Sequence, residues 1–307
     1  MPIYDLSYQH YEGARQLRQQ WWTIARNTAQ ATLKRPASGR YLFFIFITFL
    51  GFAFIVYLWR SATQTIDAIL EVNPTTQALE IRLGAHKFPI AIIFFRYLSI
   101  LFWPLLLYVI TSVSVAISAE VQGGGLTVIM ARPLRRRHYV IGKILGLAGL
   151  PTLAAGLVMC GAFMLLWGYY FTFHQALRHS PVLICALFHL GLAGILCGLS
   201  ALALHPHTST FRRATGGFFF YWFGTWLFST VSTTPSLRTV VSLLSPTHIL
   251  DGIYLWLSGV RAPQGVDSRF LRDLMNGEVR PSLLVLALLA HFIVLGWRTR
   301  SFFVGVR

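Results

Sequence analysis

The chain has 307 residues, 55% of them hydrophobic and only 12% charged, with a mean hydropathy of +0.59. Soluble domains carry about a quarter of their residues as charges, so this composition excludes an ordinary soluble domain. The net charge of +16 sits mainly in short gaps between apolar runs, which assigns it to membrane topology and anionic lipid and leaves no domain to bind nucleic acid.

The first apolar run opens near Tyr41, too deep for a signal peptide, and none is expected. Residues 1–40 are predicted to be a cytoplasmic segment carrying an amphipathic connecting helix over Glu12 to Arg35. At 100° per residue, Leu17, Trp21, Ile24, Thr28 and Ala31 share one stripe, with Arg15, Arg18, Gln19 and Arg26 largely away from it. Tryptophan and leucine opposed to arginine suit a helix lying in the headgroup layer. A cytoplasmic helix packed on a partner is the other reading. Pro36, Ser38 and Gly39 then turn the chain.

Residues 41–307 read as a six-helix transmembrane domain, giving an all-α membrane protein. The predicted spans are about 41–59, 90–117, 140–170, 182–204, 214–231 and 283–297. The first rises about 28 Å as a helix, enough for the hydrocarbon core. The second carries Arg96 in its first third, and the third is rich in glycine and alanine, which permit close helix contact. Residues 60–89 form a polar segment whose three bases and three acids cancel. The sixth span is short but can be extended by its neighbours. The segment 233–281 holds apolar pieces, Val240 to Leu244 and Ile249 to Leu257, interrupted by Pro246 and Asp251. They fit short re-entrant helices shielded by protein, or an external loop on the headgroups.

Charge sets the orientation. The amino-terminal segment has six bases against two acids, and the loop after the second span, the turn at Arg212 and Arg213 and the tail are all basic. The alternate segments are near neutral for their length. The positive-inside rule therefore puts both termini in the cytoplasm.

The loop Ala119 to Lys143 is the densest of these. It holds Arg132, Arg135, Arg136, Arg137 and Lys143 against one acid, Glu120. Gly123 to Gly125 break the preceding helix. Leu126, Val128, Ile129 and Met130 offer an apolar patch, and Pro133 suits the first turn of a new helix. The pattern is that of a short docking helix that presents apolar and basic side chains to a cytoplasmic partner.

Other candidate residues carry weaker signals. Arg96 either snorkels to the headgroups or meets a substrate or partner subunit within the bundle. Tyr221 and Trp222, in an aromatic-rich fifth span, are candidates for a pathway or lipid contact, beside the plainer readings of bundle core and aromatic belt. His189 and His291 read as hydrogen-bonded packing residues. His205 and His207 have no third metal ligand nearby, and Cys160, Cys185 and Cys197 lie inside apolar runs as packing residues. No metal site is expected. The chain has no Gly-x-x-x-x-Gly-Lys-Ser/Thr phosphate loop, so any use of ATP needs a site on another chain.

The loop resembles the cytoplasmic loop after the second span of ABC type-2 permeases. In that family an acidic residue ends the span, followed by a glycine-leucine element, a small-Arg-Pro-Leu run, a basic or polar turn and a Gly-Lys opening the third span. Glu120, Gly125-Leu126, Ala131-Arg132-Pro133-Leu134, Arg135 to Arg137 and Gly142-Lys143 stand in those places. The acidic residues that follow the glutamate in the family are replaced by Val121, Gln122 and an extra glycine. The amino-terminal helix and the run Leu244-Ser245-Pro246-Thr247-His248 are also similar to family elements. The resemblance implies one of two permease subunits of an ATP-driven exporter in a bacterial-type inner membrane, forming half of the translocation pathway. It implies two separate ATPase subunits holding ATP and Mg, no enzymatic activity in this chain, and coupling through Glu120, Gly125, Leu126, Arg132, Pro133 and Arg135. Two other readings stand beside it. Gly198-Leu199-Ser200-Ala201 with Ala290-His291 is thinly similar to a rhomboid-like intramembrane serine protease, and a non-transporting anchor subunit keeps the same fold.

Overall fold

The computed structural model describes residues 20–34, 36–72, 90–122, 136–170, 173–204, 211–231, 234–259, 269–277 and 279–305. Among these residues there is no strand. The chain runs through α1 (Gln20–Leu33), α2 (Pro36–Val72), α3 (Ile90–Gln122) and α4 (Arg136–Ile144). A π-helical turn, Leu145–Gly149, joins α4 to α5 (Leu150–Tyr170), and α6 (Phe173–Leu204) follows. Next come α7 (Phe211–Phe219), a second π turn (Phe220–Gly224) and α8 (Thr225–Val231). The chain closes with α9 (Pro235–Leu244), α10 (Pro246–Leu257), α11 (Arg269–Met275) and α12 (Pro281–Gly305).

Among the described residues, five helical runs are long and apolar enough to cross a membrane: Ser38–Leu58, Ala91–Val109, Arg137–Gly168, Leu177–Leu204 and Pro281–Arg300. Leu237–Leu244 and Pro246–Leu257 form a pair bent by 95°, which makes a sixth if counted as one broken span. The predicted fifth run is helical from Phe211 to Val231, interrupted in hydrogen-bond register by its π turn.

Burial separates centre from rim. In the second span 67% of the apolar window is buried, against 22% for the first and 17% for the last, so α3 is the axis of the bundle. Its Phe94, Leu98, Leu101, Leu105 and Val109 recur at helical spacing and are each almost wholly buried. α3 packs against α2, α6 and α7. The outer faces of α2 and α12 keep Phe43, Phe54, Ile55, Ile293 and Trp297 exposed, an apolar surface suited to lipid or to another subunit.

Among the described residues, α2, α3 and α6 all run well past the hydrocarbon thickness. α2 spans 37 residues, and α3 spans 33. At 1.5 Å per residue α3 is about 50 Å long against a core of roughly 30 Å. The helix of the first span thus continues to Val72, through residues the sequence had given to a polar connecting segment.

The amino-terminal helix does not stand apart from the bundle. α1 packs on α4 and on the π turn after it. The seat is made by two glycines one turn apart. A β-carbon at Gly142 would lie 2.6 Å from the carbonyl oxygen of Trp21, and one at Gly146 would lie 2.6 Å from the carbonyl oxygen of Ala25 and from Thr28 Cβ. Only hydrogen fits there, so the two backbones touch, the close approach that small residues permit. Ile24 and Thr28, on the predicted apolar stripe, face this seat. Ala25, Thr28 and Thr32 are buried. Trp22 is 55% exposed on the other side, where a headgroup layer can receive it.

Candidate functional site

A cavity of about 260 Å³ opens between α3, α6, α8, α10 and α11. Its existence depends on the break between α9 and α10. Ser245 leaves helical geometry with φ −91° and ψ 111°. Pro246 then starts α10 at its first position, where a missing N–H costs nothing. The new direction carries α10 back into the bundle, where nine of its residues are buried. Tyr254 Oη donates to the Ala91 carbonyl at 3.0 Å, which ties α10 to the beginning of α3. Gly252 lets Leu284 and Leu274 close in on the other side.

Polar groups at this break satisfy one another. His248 Nδ1 lies 3.0 Å from Ser229 Oγ and 3.2 Å from Ser245 Oγ. Ser245 Oγ and Thr247 Oγ1 are 2.8 Å apart. One turn further, Asp251 faces α6, with Oδ1 4.0 Å from His189 Nε2. His189 is buried and its Nδ1 meets the Leu250 carbonyl at 3.1 Å. Asp251, His189 and His248 all line the cavity, together with Arg96 from α3. The wall is aromatic: the Trp103 and Trp226 rings meet edge to face at 5.6 Å, and Trp103 meets Phe223 at 5.8 Å. The site can therefore offer both charge signs, hydrogen bonds and aromatic faces. Among the described residues no three His, Cys, Asp or Glu side chains group to hold a metal.

Of the candidate residues singled out in the sequence, Arg96 and His189 line this cavity. Tyr221 and Trp222 sit elsewhere, on the second π turn. Trp222 is wholly buried and its Nε1 donates to Ser200 Oγ at 3.1 Å. Ser200 Oγ in turn donates to the Cys197 carbonyl at 3.1 Å. Tyr221 Oη lies 2.7 Å from His291 Nδ1. Ser200 and His291, the pair a serine protease would need in contact, are thus each engaged by a different aromatic neighbour. Glu120 belongs to the last turn of α3. Gly125, Leu126, Arg132, Pro133 and Arg135 lie outside the described residues.

Sequence reasoning met Asp251 only as an interruption of an apolar piece, His248 only within a family-like run and Trp226 only as one of the aromatics of the fifth span, and it passed over Trp103. The one available signal was Asp251, an acid inside an apolar stretch, which is costly at membrane depth and for that reason a candidate functional group.

A family model described as ABC-2 family transporter protein matches residues 22–303. The chain belongs to the ABC-2 transporter family. No curated protein matches it. As an ABC-2 permease it is the multi-pass transport component of an ABC transporter, with no catalytic role of its own, and membership implies association with ABC ATPases. The matched range takes in both the cavity and the basic loop between α3 and α4.

Proposed function

We propose that this ABC-2 permease is the membrane half of an ATP-driven exporter, and that the loop 119–143 is its coupling element. Two copies, or this chain and a related one, would enclose the path within surrounding lipid in a bacterial-type inner membrane. Both termini face the cytoplasm in this reading. A separate ATPase binds ATP and Mg and receives the loop in a cleft. Glu120, Gly125, Leu126, Arg132, Pro133 and Arg135 carry the contact. Arg96 is the proposed pathway residue, and Tyr221 and Trp222 support the pathway wall.

The observation that carries this reading is the family match across residues 22–303, which encloses the Glu120 to Lys143 motif. The helices on either side of the loop support it mechanically. α3 runs unbroken to Gln122 and α4 resumes at Arg136, so a push on the loop acts on the central helix and on the third span together. α1, seated by Gly142 of α4 and Gly146 of the π turn, has to follow. ATP can drive the change only if the ATPase binds the two states of the loop with different affinity.

The test is Arg132→Glu, with Arg132→Lys as the charge-preserving control, reconstituted with the ATPase in proteoliposomes. Membrane insertion of both variants is expected to be normal. Permease-stimulated ATPase activity is expected to be lost in the glutamate variant and largely kept in the lysine variant. Full stimulation with glutamate at this position would remove the loop from the coupling path.

A further inference from the structure

The turn Phe220–Gly224 decides which face of the fifth run meets the cavity. It is π-helical between two stretches of ordinary α geometry, with Phe219 at φ −61°, ψ −45° and Thr225 at φ −63°, ψ −38°. The Thr225 N–H reaches back five residues to the Phe220 carbonyl. The Tyr221 carbonyl, which that amide would meet in an α-helix, accepts the Thr225 hydroxyl at 2.6 Å. Gly224 makes room for the turn: a β-carbon there would lie 2.8 Å from Phe220 Cδ2 and 3.2 Å from Phe220 Cγ. Such a turn holds one residue more than the α-helix between the same ends, and turns of this kind recur at functional sites.

The turn is anchored on its amino-terminal side. Tyr221 Oη lies 2.7 Å from His291 Nδ1, and Trp222 Nε1 donates to Ser200 Oγ. The extra residue is therefore taken up by α8. Each residue of α8 stands one place, about 100°, behind where an unbroken α-helix would carry it. In this register Trp226 and Thr230 line the cavity, and Ser229 Oγ lies 3.0 Å from His248 Nδ1. In an unbroken helix Thr225 would take the place of Trp226 on the wall. Phe228, now 59% exposed, would take the place of the buried Ser229.

We propose that Gly224 and Thr225 are positioning residues for the cavity. They hold the π turn, and the π turn sets Trp226 against Trp103 where an α-helix would set Thr225. A cargo entering the cavity thus meets an indole wall that exists only in this register. The proposal adds two residues to the permease reading without resting on how the loop docks, since the register is read without nucleotide, ATPase or cargo.

The experiment is fluorine NMR of the full chain in detergent, with its nine tryptophans replaced by 5-fluorotryptophan. Trp222→Phe and Trp226→Phe assign two of the signals. Gly224→Ala is expected to drive the turn to α geometry and to move the Trp226 signal, because that ring leaves its 5.6 Å edge-to-face contact with Trp103. The Trp222 signal is expected to hold its place, since Ser200 anchors it. Deletion of Gly224 removes the extra residue itself, so α8 stays in register and both signals are expected near their wild-type positions. A glycine that merely fills space predicts the reverse order, with the deletion disturbing Trp226 more than the alanine does. A Trp226 signal unmoved by Gly224→Ala, or moved as far by the deletion as by the alanine, overturns the proposal. Where the alanine variant does not fold, Thr225→Val decides, because it removes only the hydroxyl given to the Tyr221 carbonyl. A shifted Trp226 signal in that variant supports the proposal, and an unshifted one overturns it.

Discussion

Gly146→Ala is the most informative single change outside the loop. On helix propensity alone it should stabilise, since alanine is favoured over glycine by up to about 1 kcal/mol in a helix. The structure gives the opposite sign. The new methyl would stand 2.6 Å from the Ala25 carbonyl oxygen, 2.6 Å from Thr28 Cβ and 3.0 Å from Thr28 Cγ2. One of these is backbone and the others belong to a stiff β-branched side chain, so no flexible end can move aside. Overpacking of this kind costs about 1–3 kcal/mol, and the simplest relief is for α1 to lift from α4. A loss of about 2 kcal/mol would raise the lifted population roughly thirtyfold. The assay is alkylation of Thr32→Cys in membranes, with Cys160, Cys185 and Cys197 replaced by alanine. Thr32 is buried in the seated state, so the labelling rate reads the lifted fraction. Gly149→Ala is the control, because nothing lies within 4 Å of a β-carbon there. A large rise in labelling with Gly146→Ala and none with Gly149→Ala is expected. Equal rates in the two variants would refute the claim that α1 is seated on the third span by backbone contact.

Three neighbouring sites test the packing of the bundle in different ways. Gly252→Ala meets only the methyl ends of Leu284 and Leu274, at 2.9 and 3.1 Å, so it should cost less than Gly146→Ala, about 1 kcal/mol in a thermal melt. Tyr254→Phe removes the 3.0 Å bond to the Ala91 carbonyl and should lower stability by about 1 kcal/mol. Ser200→Ala takes the acceptor from the buried Trp222 indole and should cost about 1–3 kcal/mol. A fluorophosphonate probe should leave Ser200 unlabelled, because its side chain is inaccessible; labelling there would revive the protease reading.

Long-period features of the chain were legible from residues alone. Runs of apolar side chains located the five described helices that can cross a membrane, because length and hydropathy are local properties. The motif from Glu120 to Lys143 pointed to the family for the same reason: its order is written in consecutive residues. Contacts between distant elements were not legible. Gly142 appeared only as the glycine of the Gly-Lys pair and Gly146 only as part of a glycine-rich span, since nothing in that spacing names α1 as the helix they admit. The cavity was invisible as a unit, because Arg96, His189 and Asp251 come from three helices. His189 was read as a hydrogen-bonded packing residue. Its bond to Leu250 agrees with that, but only the fold reveals what its other nitrogen faces. The break at Ser245 and Pro246 was visible as an interruption, while the 95° bend that returns α10 to the core was set by tertiary packing.

The central claim is that this ABC-2 permease is worked from the cytoplasm through the loop between α3 and α4. A photo-crosslinking residue placed at position 132 of the assembled transporter tests it most directly. An adduct with the ATP-hydrolysing chain, changing in yield between nucleotide-free and ATP-bound particles, is expected. Adducts confined to lipid or to proteins on the opposite side of the membrane would contradict the account.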